Sequence, residues 1–237
     1  MSRTRAVSAG PGSPLMPTGR SGAPALGSLT RMTDSADIPT SRPMDAWLDA
    51  LSEPTGSPGG GAASGVMLGI AASLMGMVAG YTSDIPRVAE SSDRLDRLRA
   101  DLLEAVEADG VVSARFGAAL ALDADDPERD ERVARAALDA AASVVELGTL
   151  GIALVSEART LAADGNPNLA VDLAAAMEAL VAGLSGASLN LRANLQMARA
   201  HGASASLLVS LEQEVARLAE ARSLIGRISA ELSARLD

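Results

Sequence analysis

The chain has 237 residues, 48% of them hydrophobic, yet only three aromatic ones, Trp47, Tyr81 and Phe116. That length supports a real core, and a core built from Ala, Leu and Val points to packed helices rather than a sheet. Twenty arginines against 30 acidic residues give a net charge of −10, with no lysine, no cysteine and one histidine, His201; this disfavours nonspecific nucleic-acid binding and excludes disulfides, a Cys nucleophile, a Cys/His zinc site and a Walker A phosphate loop.

Residues 1–43 hold six of the eleven prolines, five glycines and seven serines, with five arginines against two aspartates. Without a periodic apolar face they cannot offset their ordering entropy, so a disordered tail is expected there and one folded domain over 44–237. Met32 followed by TDSADIPT resembles an ordinary start, which favours an over-extended reading frame above a targeting role for the first 31 residues. A short helix follows at 44–52, with Trp47, Leu48 and Leu51 on one face. It ends at EPTGSPGGG, where Pro54, Pro58 and three glycines stop helix continuation.

An apolar helix is expected over 61–82. Helices are then predicted over 88–108 and 111–122, separated at Asp109 and Gly110. Pro127 and Glu128 suit the first turn of a helix running to about residue 163, with a break near Gly148 and Gly151. DGNPN at 164–168 is a turn, another helix extends to about residue 200, and a last amphipathic helix covers 206–236. The reading is all-α throughout, a single-domain helical bundle.

The segment 61–82 is the sharpest feature, because residues 54–83 carry no charge and a bilayer span is long enough to fit. Gly61, Gly65, Gly69 and Ser73 recur every four residues, as do Gly76 and Gly80, a stripe that lets helices approach closely. Small residues gain little from lipid and no basic cluster flanks the segment, so a buried core helix without a membrane partner is expected. The same face can serve two subunits, which predicts a homodimer. At the head of this helix Gly59, Gly60 and Gly61 leave the backbone open to close approach, and the free N–H groups there favour an anionic or electron-rich group. A plain flexible turn accounts for the same three glycines.

The run WLDALSEPTGSPGGGAASGVMLGIAASLMGMVAGYT resembles the N-terminal signature of the cyclodeaminase/cyclohydrolase family: a short helix with an aromatic residue, a Pro-Gly-Gly-Gly turn, and a small-residue helix with Met-Val-Ala near its end. Pro58 to Gly61 and Met77 to Ala79 occupy those positions. A second block, GNPNLAVDLAAAMEALVAGLSGASLNLRANL, resembles the family's Gly-Asn turn, following Asp, and Asn-rich helix, matched by Gly165, Asn166, Asp172, Asn190, Arg192 and Asn194. Three departures are visible. Ala62 stands where the family has Ser, TSDIPR replaces a Lys-rich segment, and Asp109 in DGVVSARF is an ungapped match only in part to the family's Asp before Ala-Phe.

The resemblance implies a cytoplasmic enzyme that acts on the one-carbon bridge between N5 and N10 of a tetrahydrofolate substrate, with no metal or further cofactor. A cyclohydrolase adds water to the methenyl carbon, whereas a cyclodeaminase closes the ring by N10 attack on a formimino carbon and expels ammonia. Both need a proton shuttle and an anion near a developing cation, and a carboxylate supplies both. Asp172 and Asp109 are the implied catalytic residues. Gly59, Gly60, Gly61, Asn166, Asn190, Arg192 and Asn194 are the implied substrate contacts, Arg192 because a guanidinium fork suits the carboxylates of a folate tail. Each has an ordinary alternative: a helix-end or exposed position for Asp109, a dipole partner for Asp172, a cap for Asn166, interhelical ties for the two asparagines on one helix face, and a surface ion pair for Arg192. His201 is read as a helix C-terminal residue with no catalytic role. No formiminotransferase-like segment occurs in the 237 residues, so the cyclohydrolase is expected first, the cyclodeaminase second, and a silent interaction protein of the same fold third.

Overall fold

The computed structural model describes residues 44–235; the tail expected over 1–43 lies outside the described residues. Among those described there are six α-helices and no strand. They are α1 (Met44–Ser52), α2 (Gly60–Gly80), α3 (Pro86–Leu120), α4 (Arg129–Asp164), α5 (Ala170–Ala200) and α6 (Ala205–Ser233), with a 3-10 turn at Pro167–Leu169 before α5. This is the all-α bundle that the composition implied.

Each long helix runs back along its predecessor. α2 lies between α3 and α5 and reaches α4, while α6 covers α5 and α4. The core is made of leucines and alanines with few larger groups, among them Leu68, Met75, Leu102, Leu147, Leu154, Leu180 and Leu191, all fully buried. Helices must approach closely for such small side chains to touch. At Gly65 an added Cβ would meet Val106 and Leu147, at Gly151 it would lie 3.0 Å from Leu184 and Leu68, and at Gly183 it would lie 2.6 Å from Leu68. Three of the helical segments are long and apolar enough to cross a membrane by length and composition: α2, α4, and residues 167–200.

Several expected boundaries differ. α3 runs without interruption through Asp109 and Gly110, and α4 through Gly148 and Gly151. A glycine costs a helix interior only about 1 kcal/mol, which tertiary contacts exceed; Gly148 and Gly151 admit Leu218, Leu184 and Leu68. In α1 the buried face holds Trp47 and, in part, Leu51, whereas Leu48 points outward at 51% exposure. The glycine stripe of α2 also divides. Gly61 and Gly65 are packed inside the bundle, but Gly76 and Gly80 face open space and Ser73 is exposed.

Two ion pairs tie α3 to α4. Arg87 at the start of α3 meets Asp164 at the end of α4. In mid-bundle the Arg94 guanidinium grips both oxygens of Glu157, Nε to Oε1 at 2.9 Å and Nη2 to Oε2 at 3.1 Å. Burial alone pushes the Glu157 carboxyl up, but hydrogen bonds from Arg94 and Ser91, the guanidinium charge and Ser156 outweigh it and hold the group below its ordinary value.

Candidate functional site

The glycine turn ends in Gly59, the residue before α2, whose extended backbone offers no side chain to cap the helix. The first amides of any α-helix lack intrahelical acceptors. Here a carboxylate from another helix faces them. Asp109, buried to 2% exposure in the interior of α3, lies directly against the first turn of α2. A Cβ on Gly61 would sit 2.9 Å from its Cγ and closer still to Oδ2, so only glycine leaves room for it. The turn that shapes this approach is anchored by Ser57, whose hydroxyl donates to the Gly110 carbonyl at 2.8 Å. The same bond braces α3 where Asp109 and Gly110 were expected to end a helix.

Asp109 is held asymmetrically. Ser143 of α4 donates to Oδ1 at 3.0 Å, while Oδ2 is buried with no hydrogen-bond partner. Burial pushes the carboxyl above its ordinary value, and Ser143, Ser113 and the Ala62 amide offset this only in part. The Ala62 and Ser113 groups act on the carboxylate by proximity, since neither closes a bond to Oδ2. Burial thus favours the neutral form of the Asp109 carboxyl relative to an exposed aspartate. Its helix-end or exposed alternative is thereby corrected: the position is mid-helix and internal.

Asn190 of α5 forms the outer side of the same place. A Cβ on Gly60 would lie 3.0 Å from its Oδ1 and 3.2 Å from its Nδ2. The side-chain amide donates to the Gly186 carbonyl at 2.8 Å, and Ser64 donates back to the Gly60 carbonyl at 2.6 Å. Gly60 itself is exposed and Asn190 half-buried, so the inner carboxylate lies one residue in from the solvent-facing side of the turn. In the Cβ direction of Gly60 and Gly61 the nearest groups are the side chains of Asn190 and Asp109.

The remaining predicted residues lie elsewhere. Asn166 accepts from the Asn168 amide at 3.0 Å, and its own amide donates to Thr82 at the far end of α2. Asp172, half-buried in the first turn of α5, belongs to that far end. Eighteen helical residues separate it from Asn190, about 27 Å at 1.5 Å per residue. The structure therefore does not bring Asp172 and Asp109 together within one chain. Asn194 is half-buried one turn beyond Asn190. Arg192 is exposed on another flank, in a groove of about 660 Å³ between α5 and α6 that also holds Arg199 and Glu212. His201 closes the end of α5 and meets Asp130 at 2.7 Å. Among the described residues no three of His, Cys, Asp and Glu gather in a way that could hold a metal ion. Sequence reasoning missed Ser143, because a lone serine carries no periodic or motif signal of its own.

The chain is thus an antiparallel all-α bundle with an internal carboxyl packed beside a glycine turn. The family model described as formiminotransferase-cyclodeaminase matches residues 43–213, and the chain belongs to that family. The crystal structure of formiminotetrahydrofolate cyclodeaminase from Thermotoga maritima shares the fold, with a TM-score of 0.68 at 20% identity over 81% of this chain and 98% of that one. No curated protein matches the sequence.

Proposed function

We propose that this protein closes the ring of formimidoyltetrahydrofolate, joining N10 to the formimino carbon and releasing ammonia. Family membership and the likeness to a cyclodeaminase support this reaction over the ring opening that the sequence alone suggested. Methenyl hydrolysis remains the second reading, since it passes through the same kind of tetrahedral carbon. The observation that carries the proposal is Asp109, internal, held at one oxygen, and pushed toward the neutral form by burial.

In this mechanism the formimino nitrogen enters protonated, as an amidinium, and the Asp109 carboxylate takes the N10 proton as N10 attacks the formimino carbon. The protonated carboxyl then passes that proton to the exocyclic nitrogen, which leaves as ammonia and yields the cationic methenyl bridge. The regenerated carboxylate stabilises the cation electrostatically. Asn190, at the solvent side of the turn, would hydrogen-bond a pterin edge, with Gly59 to Gly61 and Asn194 as further contacts. Arg192 lies further along α5, where a folate tail carboxylate would meet it. Asn166 and Asp172 belong to the opposite end of the protomer, so a role for them in the same site calls for a second copy. The proposal includes a cytoplasmic homodimer that needs no cofactor and no nucleic-acid or membrane partner. Ile70, Met77 and Tyr81 on the outer side of α2 are the apolar surface a second copy would cover.

The test is direct. Purified protein is incubated separately with 5-formimidoyltetrahydrofolate and with 5,10-methenyltetrahydrofolate, and near-ultraviolet absorbance is followed against buffer. Appearance of the methenyl band with the first supports ring closure, and faster loss of that band with the second supports hydrolysis. Activity with neither, at folate and protein concentrations that saturate binding, identifies a silent scaffold. Asp109→Asn should lower turnover by roughly 10² to 10⁴ while substrate affinity changes little. The same substitution at Asp172 tests the other expected carboxylate.

A further inference from the structure

We propose that Ser143 is a positioning residue for the proton carrier: by donating its hydroxyl proton to Oδ1 of Asp109 it leaves Oδ2, the oxygen facing the glycine turn, as the one that exchanges a proton. The proposal rests on the reading of Asp109 as that carrier.

Hydroxyls inside a helix ordinarily bond back to the carbonyl four residues earlier. Those of Ser64, Ser73, Thr149 and Ser185 do so here, at 2.6 to 2.8 Å. Ser143 does not follow them; its hydroxyl reaches across from α4 to α3, 34 residues away in sequence, to meet Asp109 at 3.0 Å. A serine hydroxyl has a single proton to donate. Once that proton points at Oδ1, a neutral Asp109 must carry its own proton on Oδ2, which has no partner among the described residues. The hydrogen bond also fixes the carboxylate plane against the first turn of α2, where Gly61 leaves no spare room.

The groups around Asp109 make the effect readable. α2 presents only the backbone of Gly61 and Ala62, α3 presents Ser113, α4 presents Ser143, and no charged side chain contributes to the displacement of its pKa. Ser143 favours the charged carboxylate, so its removal must push the carboxyl further up. A charge-assisted hydrogen bond corresponds to a displacement of about one pH unit.

The experiment uses the full chain with ¹³C-labelled aspartate carboxyls, the Asp109 signal being assigned as the one missing from Asp109→Asn. Wild type, Ser143→Ala and Ser143→Thr are titrated and assayed for turnover against pH. The expected result for Ser143→Ala is an Asp109 midpoint about one unit higher, the acidic limb of kcat displaced in parallel, and KM unchanged; Ser143→Thr, which keeps the hydroxyl, should restore both. A Ser143→Ala midpoint equal to wild type overturns the inference, as does a shift that threonine fails to reverse in a folded protein. If Asp109→Asn is fully active, the reading of Asp109 itself has failed. A Ser143→Ala effect confined to thermal stability would reduce Ser143 to an interhelical tie and also overturn the proposal.

Discussion

Replacing Gly61 by Ala tests whether the glycine turn exists to admit a carboxylate. A Cβ there would stand 2.9 Å from both Cγ and Oδ1 of Asp109, and closer to Oδ2, where ordinary contact begins at 3.4 Å. The carboxylate must retreat by about half an ångström or more, yet Ser143 holds Oδ1 and the site is internal, so the adjustment carries the roughly 1–3 kcal/mol of an overpacked core. Helix propensity returns at most about 1 kcal/mol of that. The net expectation is a loss of about 0–2 kcal/mol in stability, together with a turnover loss of roughly 10²-fold or more as the proton carrier is displaced. Gly76→Ala on the same helix is the control. Its Cβ would meet nothing within 4 Å, so it should stabilise by about 0.5–1 kcal/mol, or about 2–4 °C in Tm at the upper end. The decisive measurement is a double-mutant cycle by urea unfolding: in an Asp109→Ala background, which removes the obstacle, Gly61→Ala should no longer destabilise. If Gly61→Ala stabilises the otherwise unchanged protein as much as Gly76→Ala does, the close approach of Asp109 to this turn is refuted.

Three further outcomes are expected. Because the folded-state pKa of Asp109 is raised, the folded protein holds its proton more tightly than the unfolded chain does, and stability must fall as pH rises from the unfolded value near 3.9 through the folded one. The Tm of Asp109→Asn should therefore gain on wild type between pH 4 and the folded pKa, and an unchanging gap would contradict the burial argument. Glu157 behaves oppositely: its lowered pKa makes its pairing with Arg94 a source of stability present above the ordinary carboxyl range and lost as pH falls through the folded value. Glu157→Gln should lose about 1–2 kcal/mol at pH 7, since Arg94 is partly exposed and can turn to water, and should be less sensitive to acid. Gly183→Ala would place a methyl 2.6 Å from Leu68 and 3.0 Å from the Ser64 carbonyl, so after the helix-propensity gain a net loss of about 1–2 kcal/mol is expected, read from the urea midpoint at unchanged m-value.

The amino-acid sequence by itself determined the class of structure and the main punctuation. Scarce aromatics, abundant Ala and Leu, and Pro-Gly clusters are local properties, and they placed α1, α2, the glycine turn and the DGNPN turn within a residue or two. The two spaced blocks were enough to indicate the family. What tertiary structure decided is everything that depends on a neighbour distant in the chain. Gly110, Gly148 and Gly151 look like breaks because glycine is a poor helix former, but the helices persist: leucines of other helices press against Gly148 and Gly151, and the Ser57 hydroxyl bonds the Gly110 carbonyl. Asp109 looks like a helix-end residue until α2 and α4 enclose it, and Ser143 is legible only once α4 turns it toward α3. The residues of the second family block also sort to opposite ends of α2, because an antiparallel partner carries Asn190 back to Gly60 while leaving Asn166 beside Thr82. Burial, partner and pKa are properties of that enclosure, and no local spacing encodes them.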